Sequence, residues 1–176
     1  MRGALAGAPS SPPRIALQID RGGDNAGART FYDAVLARQV PFELIALSYY
    51  PWWHGDLDAL SANLNDLAQR YGKDLVVIET AYPWTLANAD AEPDFVSSAG
   101  QLLSGYPATP SGQAAFLREV NRLVAAVPGG RGRGVYWWAP DWLPAAGMSE
   151  TNPWDNQTLF DTAGRPLPAM AALGSR

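Results

Sequence analysis

The sequence contains no cysteine and a single histidine, His54. The absence of cysteine excludes disulfide frameworks and thiolate metal sites. One histidine cannot build a histidine-rich zinc site, and it leaves no second imidazole for a catalytic triad that needs one. Disulfide-stapled proteins, thiolate-metal proteins and histidine-rich zinc proteins are therefore excluded.

Charge is also scarce, at 17% of residues, and the formal net charge is −4. Lysine and arginine form no block, and nucleic-acid affinity comes mostly from clustered basic residues, so no nucleic-acid partner is expected. No apolar run approaches the length of a membrane span, so no membrane segment is expected either. The N-terminus is too short and too weakly apolar for a signal peptide.

Tryptophan is unusually frequent, with 7 residues in a chain that is 47% hydrophobic. All of them lie at the ends of strand-like apolar runs or in the loops that follow. None lies on the apolar face of a predicted helix. Because core packing would scatter such residues, their clustering indicates a surface that holds a flat ligand.

A strand followed by a helix is the repeating pattern of the chain. Residues 1–13 are rich in Gly, Ala, Ser and Pro and are predicted to be disordered, whereas residues 14–176 are predicted to form one domain. Hydrophobic periodicity and capping residues define the elements. The predicted strands are at 14–20, 43–49, 74–79 and 133–138. The predicted helices are at 25–39, 56–71 and 167–173, and a further helix begins at Thr109 with Pro110 in its first position.

Helices between consecutive strands indicate a parallel, right-handed α/β arrangement. The loops after the strands carry the aromatic residues, which matches a barrel with its chemistry at the C-terminal ends of the strands. A doubly wound sheet is the rival fold, but no glycine-rich phosphate loop opens a helix. A complete (β/α)8 TIM barrel needs eight units and usually about 250 residues, so four units predict half of one.

Glu79 is the foremost catalytic candidate. It ends the third strand, and the loop after it contains Tyr82 and Trp84. A carboxylate at a barrel mouth is placed to act as a nucleophile or a proton shuttle, and sugar rings pack well on neighbouring aromatic faces. The plainer interpretation is a solvated glutamate at a strand end, and position alone does not decide between the two.

The second strand ends in a run that contains Tyr49, Tyr50, Trp52 and His54. A tyrosine here is placed to hydrogen-bond the carboxylate of the next strand and hold it in position. A lone histidine beside tryptophan is more often structural than catalytic.

Four oxygen-bearing residues alternate in the long loop at 80–108, namely Asn88, Asp90, Glu92 and Asp94. Such spacing can supply oxygen ligands to calcium. No glycine provides the sharp turn of a calcium loop, so an acidic solvated loop is the favoured interpretation. A structural calcium ion bound by this loop is the less favoured interpretation.

Longer motifs add a family resemblance. Segment 48–55 (SYYPWWHG) and segment 77–85 (VIETAYPWT) resemble the strand-six and strand-seven motifs of glycoside hydrolase family 53, the arabinogalactan endo-β-1,4-galactanases. The resemblance covers roughly residues 14–170 and follows the order of the family. Further similar segments are 63–68, 70–74, 106–113 and 154–161.

The resemblance implies that the four strands are strands five to eight of a (β/α)8 barrel. It implies a retaining mechanism with two carboxyl groups about 5–5.5 Å apart, in which Glu79 is the nucleophile. The acid/base glutamate is then expected on strand four, in a missing N-terminal half, and the isolated chain is expected to be inactive. The residues implied to bind substrate are Tyr49, Tyr50, Trp52, His54, Tyr82, Trp84 and Trp138.

The resemblance also implies a substrate, β-1,4-galactan in pectic arabinogalactan, and a secreted or periplasmic full-length enzyme. No cofactor is needed for this chemistry. The 88–94 spacing is similar to a calcium loop of some bacterial members, without their histidine. Gln18 and Asp20 stand where the family tends to have a His-x-Asp-like strand end, and Ala139 replaces a usual glutamate.

Two other interpretations stay open. One is a carbohydrate-binding remnant that keeps the aromatic surface without catalysis, and the other is an inactive gene fragment. Half a barrel leaves two sheet edges with unpaired backbone groups, so aggregation or edge-to-edge dimerisation is expected for the isolated chain.

Overall fold

The computed structural model describes residues 13–143 and 152–174. Apart from Pro13, the segment predicted to be disordered lies outside these residues. The four predicted strands and the helices between them are present, with ends that differ by a few residues from the predicted ones. The elements are β1 (Ala16–Ile19), α1 (Asn25–Ala37), β2 (Leu44–Tyr49), α2 (Pro51–His54), α3 (Leu57–Tyr71), β3 (Asp74–Thr80), α4 (Pro110–Ala125), β4 (Gly132–Trp137) and α5 (Ala169–Ala172).

Helix α2 was not predicted, because four residues are too few to show a periodic pattern. Pro51 occupies its first turn, where a missing N–H costs nothing. This short helix turns the chain directly after β2 and places Trp53 and His54 at the end of the sheet.

Side chains fix the ends of the longer helices. Asp24, Asp56 and Thr109 each accept a hydrogen bond from a backbone N–H in the first turn of α1, α3 and α4. Gly72 ends α3 in the left-handed conformation at φ 61°, as its position after the helix predicts. These local signals explain why the helix boundaries were readable from the sequence.

The four strands form one parallel sheet in the order β1-β2-β3-β4. Each strand pairs with the next along the chain, from Ala16 opposite Leu44 to Thr80 opposite Trp137. Consecutive parallel pairing through helices is the arrangement of a (β/α) barrel wall. All of the C-terminal strand ends therefore meet along one rim.

The two faces of the sheet are buried differently. One face packs against the helices in the main core, to which Leu47, Leu75, Val77 and Phe116 contribute fully buried side chains. The opposite face carries a small cluster of Leu44, Ala46, Val76 and Ile78. This second face corresponds to the inside of a barrel, which side chains from all of the strands normally fill.

Within the described residues, β1 pairs only with β2 and β4 pairs only with β3. The sheet is therefore open at both edges, as half a barrel is expected to be. In the same part of the chain, no helix has the length and apolar character to cross a bilayer.

Candidate active site

The carboxylate of Glu79 lies at the C-terminal rim and accepts hydrogen bonds from three side chains. The amide of Gln18 donates to Oε1 over 2.6 Å. The hydroxyls of Ser48 and Tyr50 donate to Oε2 over 3.1 Å and 3.2 Å. Donors from β1, from β2 and from the residue after β2 therefore fix the orientation of this carboxylate.

A bulge in β3 turns Glu79 toward these donors. The pairing runs from Leu47 opposite Val77 directly to Ser48 opposite Glu79, so Ile78 is an extra residue in β3. Simple alternation would turn Glu79 to the helix side, because Val77 faces the helices. The bulge reverses the alternation and brings Glu79 to the same face as Ser48.

Tyr50 acts as a fixed hydrogen-bond donor. The residue is 4% exposed. Burial first, and then the negative charge of Glu79 and the hydrogen bond to it, raise the pKa of Tyr50. The phenol therefore keeps its proton, which it donates to the carboxylate.

His54 is held as a neutral imidazole. Its Nδ1 accepts the backbone N–H of Tyr50 over 3.0 Å, and burial lowers the pKa of its ring. A neutral ring with an accepting Nδ1 carries its proton on Nε2. His54 thus stabilises the turn after β2, and its ring is a polar group in the wall of the cavity beside Glu79.

A cavity of about 620 Å³ opens beside Glu79. Such a volume suits a small ligand or a few sugar rings. Aromatic rings make up most of its wall, and several of them are open to solvent, with Trp53 52% and Trp142 47% exposed. The lining residues are Asp20, Arg21, Ser48, Tyr50, Trp53, His54, Glu79, Phe95, Trp138, Trp142 and Trp154.

The aromatic rings of this wall contact one another. Trp154 lies at the centre, with ring centroids 5.2 Å from Tyr50, 5.0 Å from Phe95 and 6.4 Å from Trp138. Most of these pairs are tilted or edge-to-face, the geometry that aromatic quadrupoles favour. Mutual packing restricts ring rotation, so the wall is organised before a ligand arrives.

The structure brings together Glu79, Tyr50, His54 and Trp138 of the predicted site residues. Trp52 is only partly buried, but it packs behind the wall against Tyr50 and Trp154 and does not line the cavity. It therefore supports the wall rather than forming it.

Tyr49 and Tyr82 are not placed to bind a ligand in this cavity, which corrects their predicted roles, whereas Trp84 is partly buried outside the cavity lining and its role stays a prediction. Tyr49 and Tyr82 are completely buried and stack on Phe116 in the core. Their hydroxyls donate to the backbone carbonyls of residues 55 and 106. Trp84 lies in the loop after β3, where its backbone N–H donates to the carbonyl of Asn156.

Sequence reasoning assigned no individual binding role to several cavity residues. Phe95, Trp142 and Trp154 come from two long loops that meet only in the folded chain. Ser48 is a small residue within a buried strand, and only the bulge opposite it gives it a functional neighbour. Its position two residues after Ala46, on the same face of β2, was the one available clue.

The alternating residues of the long loop hydrogen-bond its own backbone. Asn88 Oδ1 accepts the N–H of Asp90, and Asp90 Oδ1 accepts the N–H of Glu92, over 3.0 Å and 2.7 Å. Such turns account for the spacing without a bound ion. Within residues 13–143 and 152–174, no group of three or more acidic or histidine side chains is arranged to hold a metal ion.

Asp94 differs from the rest of this loop because it is buried, next to Asp155. Burial first, and then the charge of Asp155, raise the pKa of Asp94 to about 7. Burial and the charge of Asp90 likewise raise the pKa of Asp155. Both Asp94 oxygens and one Asp155 oxygen lack a hydrogen-bond donor, so this junction between two loops favours a protonated carboxyl.

Comparison with known proteins places the chain beside a set of carbohydrate-active proteins. The sequence matches the family model described as "Glycosyl hydrolase family 53" over residues 6–173. An "Uncharacterized protein in bgaB 5'region" from Niallia circulans is 49% identical over 91% of this chain and 44% of its own length. A "Probable arabinogalactan endo-beta-1,4-galactanase A" from Aspergillus terreus is 37% identical over 94% of this chain and 47% of its own length.

A solved structure described as "Ignisphaera aggregans GH53 catalytic domain" superposes on this chain with a TM-score of 0.85 at 34% identity. The match covers 92% of this chain and 46% of that domain. The chain thus spans about half the length of the curated relatives it matches.

Proposed function

Because the chain belongs to glycosyl hydrolase family 53, we propose that it supplies the nucleophile side of a retaining endo-β-1,4-galactanase site. Its sheet is the C-terminal half, strands five to eight, of a (β/α)8 barrel. The observation that carries the proposal is Glu79, a carboxylate on the rim that accepts three hydrogen bonds beside an aromatic cavity.

In this mechanism one oxygen of Glu79 attacks the anomeric carbon and forms a glycosyl ester, while the glycosidic bond breaks. Gln18, Ser48 and Tyr50 hold the carboxylate by donating to its oxygens. Fixed donors of this kind keep the attacking oxygen in one orientation, so the reaction needs little rearrangement. Water later cleaves the ester and releases the sugar with its original anomeric configuration.

A second carboxyl group must protonate the leaving oxygen. Asp20 also lines the cavity, but it follows β1, two strands from β3, and unlike Gln18 it makes no hydrogen bond within the described residues that turns its side chain toward Glu79. Its side chain is 79% exposed and lies 3.7 Å from Arg21. A retaining pair needs about 5–5.5 Å, so we assign the acid/base group to a further segment with four more strand–helix units.

The substrate we propose is β-1,4-galactan or arabinogalactan. The relative from Aspergillus terreus carries a galactanase name, and neutral sugar rings suit the exposed indole faces of Trp53 and Trp142. General acid catalysis contributes about 10²- to 10⁴-fold, so the described half by itself should not turn over galactan. A polymeric substrate of this kind also favours a secreted or periplasmic full-length enzyme.

The complementary half is itself a proposed partner. The open edges of β1 and β4 in the described residues offer backbone groups for parallel pairing, and the inner face carries apolar residues that another half can cover. Joining the chain to the N-terminal half of a relative should therefore restore galactan hydrolysis. Equal hydrolysis by the chain alone would contradict this division of roles.

An activated substrate tests the nucleophile without the acid. A 2-deoxy-2-fluoro galactobioside with a dinitrophenolate leaving group needs no protonation to depart, so Glu79 should form a stable ester with it. Mass spectrometry should locate the label on Glu79, and Glu79→Gln should remove it. An unlabelled chain, or a label on another carboxylate, would reject the proposal.

A binding role without catalysis is the second candidate, because six aromatic residues of the described part line one cavity. It predicts that galacto-oligosaccharides bind and that Glu79→Gln leaves their affinity unchanged in calorimetry. If no galacto-oligosaccharide binds, this candidate is eliminated.

A structural calcium ion remains a proposal for the long loop. Side-chain oxygens of Asn88 and Asp90 accept backbone N–H groups of the loop, and the carboxylate of Glu92 is exposed, so the oxygens best placed to accept a cation are the buried ones of Asp94 and Asp155. A rise in melting temperature on adding calcium, abolished by Asp94→Asn, would support the ion. An unchanged melting temperature would reject it.

A further inference from the structure

Gln18 reaches Glu79 across an intervening strand. It lies in β1 opposite Ala46 of β2, whereas Glu79 lies in β3. Its Nε2 donates over 2.6 Å to Glu79 Oε1 and over 2.9 Å to Ser48 Oγ. Both N–H bonds of one amide are therefore used on two groups of the rim.

These contacts fix the direction of every proton in the cluster. A carboxylate only accepts hydrogen bonds, so the amide nitrogen of Gln18, and not its oxygen, must face Glu79. Ser48 accepts from the amide and thus directs its own hydroxyl proton to Glu79 Oε2, over 3.1 Å. Gln18, Ser48 and Glu79 form a closed ring of hydrogen bonds.

Burial protects the Ser48 side of this ring, whereas Gln18 is exposed and its contact with Glu79 is open to solvent. Ser48 is 2% exposed, so its hydroxyl has no competing water and depends on its two partners. The side chain of Gln18 has a longer reach than that of Asp20, the next residue of the same face, and contacts the carboxylate directly. Gln18 therefore acts on Glu79 both directly and through Ser48.

From this geometry we infer that Gln18 is a positioning residue for the nucleophile. It clamps Oε1 from one side while Ser48 and Tyr50 hold Oε2, so the carboxylate plane stays fixed during attack. Gln18 does not line the cavity, so its effect should fall on the chemical step and not on ligand affinity. The inference rests on the proposed role of Glu79.

Labelling kinetics with the fluoro-galactobioside probe separate these effects. Gln18→Leu removes both donors at similar volume and should slow the maximal labelling rate about 10- to 100-fold, the loss expected for one hydrogen bond to a charged group. The probe concentration for half-maximal rate should stay unchanged. Gln69→Glu, an exposed site on α3, is the control and should label like the wild type.

Gln18→Glu gives the signature of a donor. A glutamic acid at this place donates a proton to Glu79 until it ionises and repels the carboxylate after that, and the charge of Glu79 beside it moves this ionisation above the ordinary pKa of about 4. The labelling rate of this variant relative to wild type should therefore fall as the pH rises from about 4 to about 7. A purely structural role for Gln18 would give a ratio that does not change with pH.

The outcomes separate the role of Glu79 from that of Gln18. A wild-type chain that is not labelled rejects the role of Glu79 and this inference with it. A labelled wild type, with Gln18→Leu within twofold of its rate and a pH-independent ratio for Gln18→Glu, rejects the inference alone. Circular dichroism of both variants establishes that they are folded.

Discussion

The contact between the loop after β1 and helix α2 should tolerate no side chain at Gly23. A Cβ built there would lie 1.8 Å from the carbonyl oxygen of His54 and 3.4 Å from the Cβ of Ala59. Real Cβ atoms essentially never come within 3.0 Å of such an atom, so Gly23→Ala must displace α2 or the loop by about 1.2 Å.

Overpacking of this kind typically costs about 1–3 kcal/mol. In a domain of this size each kcal/mol lowers the melting temperature by about 2–4 °C, so Gly23→Ala should melt several degrees below the wild type. Helix α2 carries Trp53 and His54, so the same shift should also weaken galacto-oligosaccharide binding.

Urea unfolding followed by far-ultraviolet circular dichroism gives the change in free energy, and calorimetry gives the change in affinity. Gly100→Ala is the matched control, because a Cβ at that position meets no atom within 4 Å. Equal stability of Gly23→Ala and Gly100→Ala would refute the reasoning, since it would mean that α2 does not lie against the loop.

Two further predictions concern the loops and the wall. Asp94 has a pKa raised to about 7 in the fold against about 3.9 when unfolded, so its contribution to stability is complete below about pH 4 and is lost as the pH rises toward 7. In the presence of a chelator, thermal melts should show a flatter pH profile for Asp94→Asn, and an unaltered profile would contradict the burial of this carboxyl. Trp53→Ala should weaken oligosaccharide binding up to about tenfold in calorimetry, which is the range of one aromatic contact. Phe31→Ala, which removes an exposed ring on α1, is the control and should leave the affinity unchanged. Equal effects of the two variants would argue against stacking of sugar rings on the wall.

Much of the fold could be predicted because its signals are local. Gly72 and Thr109 mark helix ends through backbone conformation and capping, and both do so in the structure. Glu79 was predicted from its place at the end of an apolar strand, and it does lie on the rim.

The site was less predictable because its details depend on contacts between distant segments. Tyr49 and Tyr50 are neighbours in an extended chain and must face opposite ways, but only the packing of Phe116 shows that Tyr49 takes the core side. The bulge at Ile78 leaves no mark in the pattern of apolar residues, yet it decides which way Glu79 points. Helix α2 was too short to be detected.

Chemical rescue tests the central claim, that Glu79 is the attacking group, most directly. Glu79→Ala leaves room at the rim for azide, which should attack an activated dinitrophenyl galactobioside from the side that Glu79 occupied. Proton magnetic resonance should then identify an α-galactobiosyl azide, formed by this variant and not by Asp20→Ala. A β-azide, or the same product from Asp20→Ala, would contradict the assignment of Glu79 as the nucleophile.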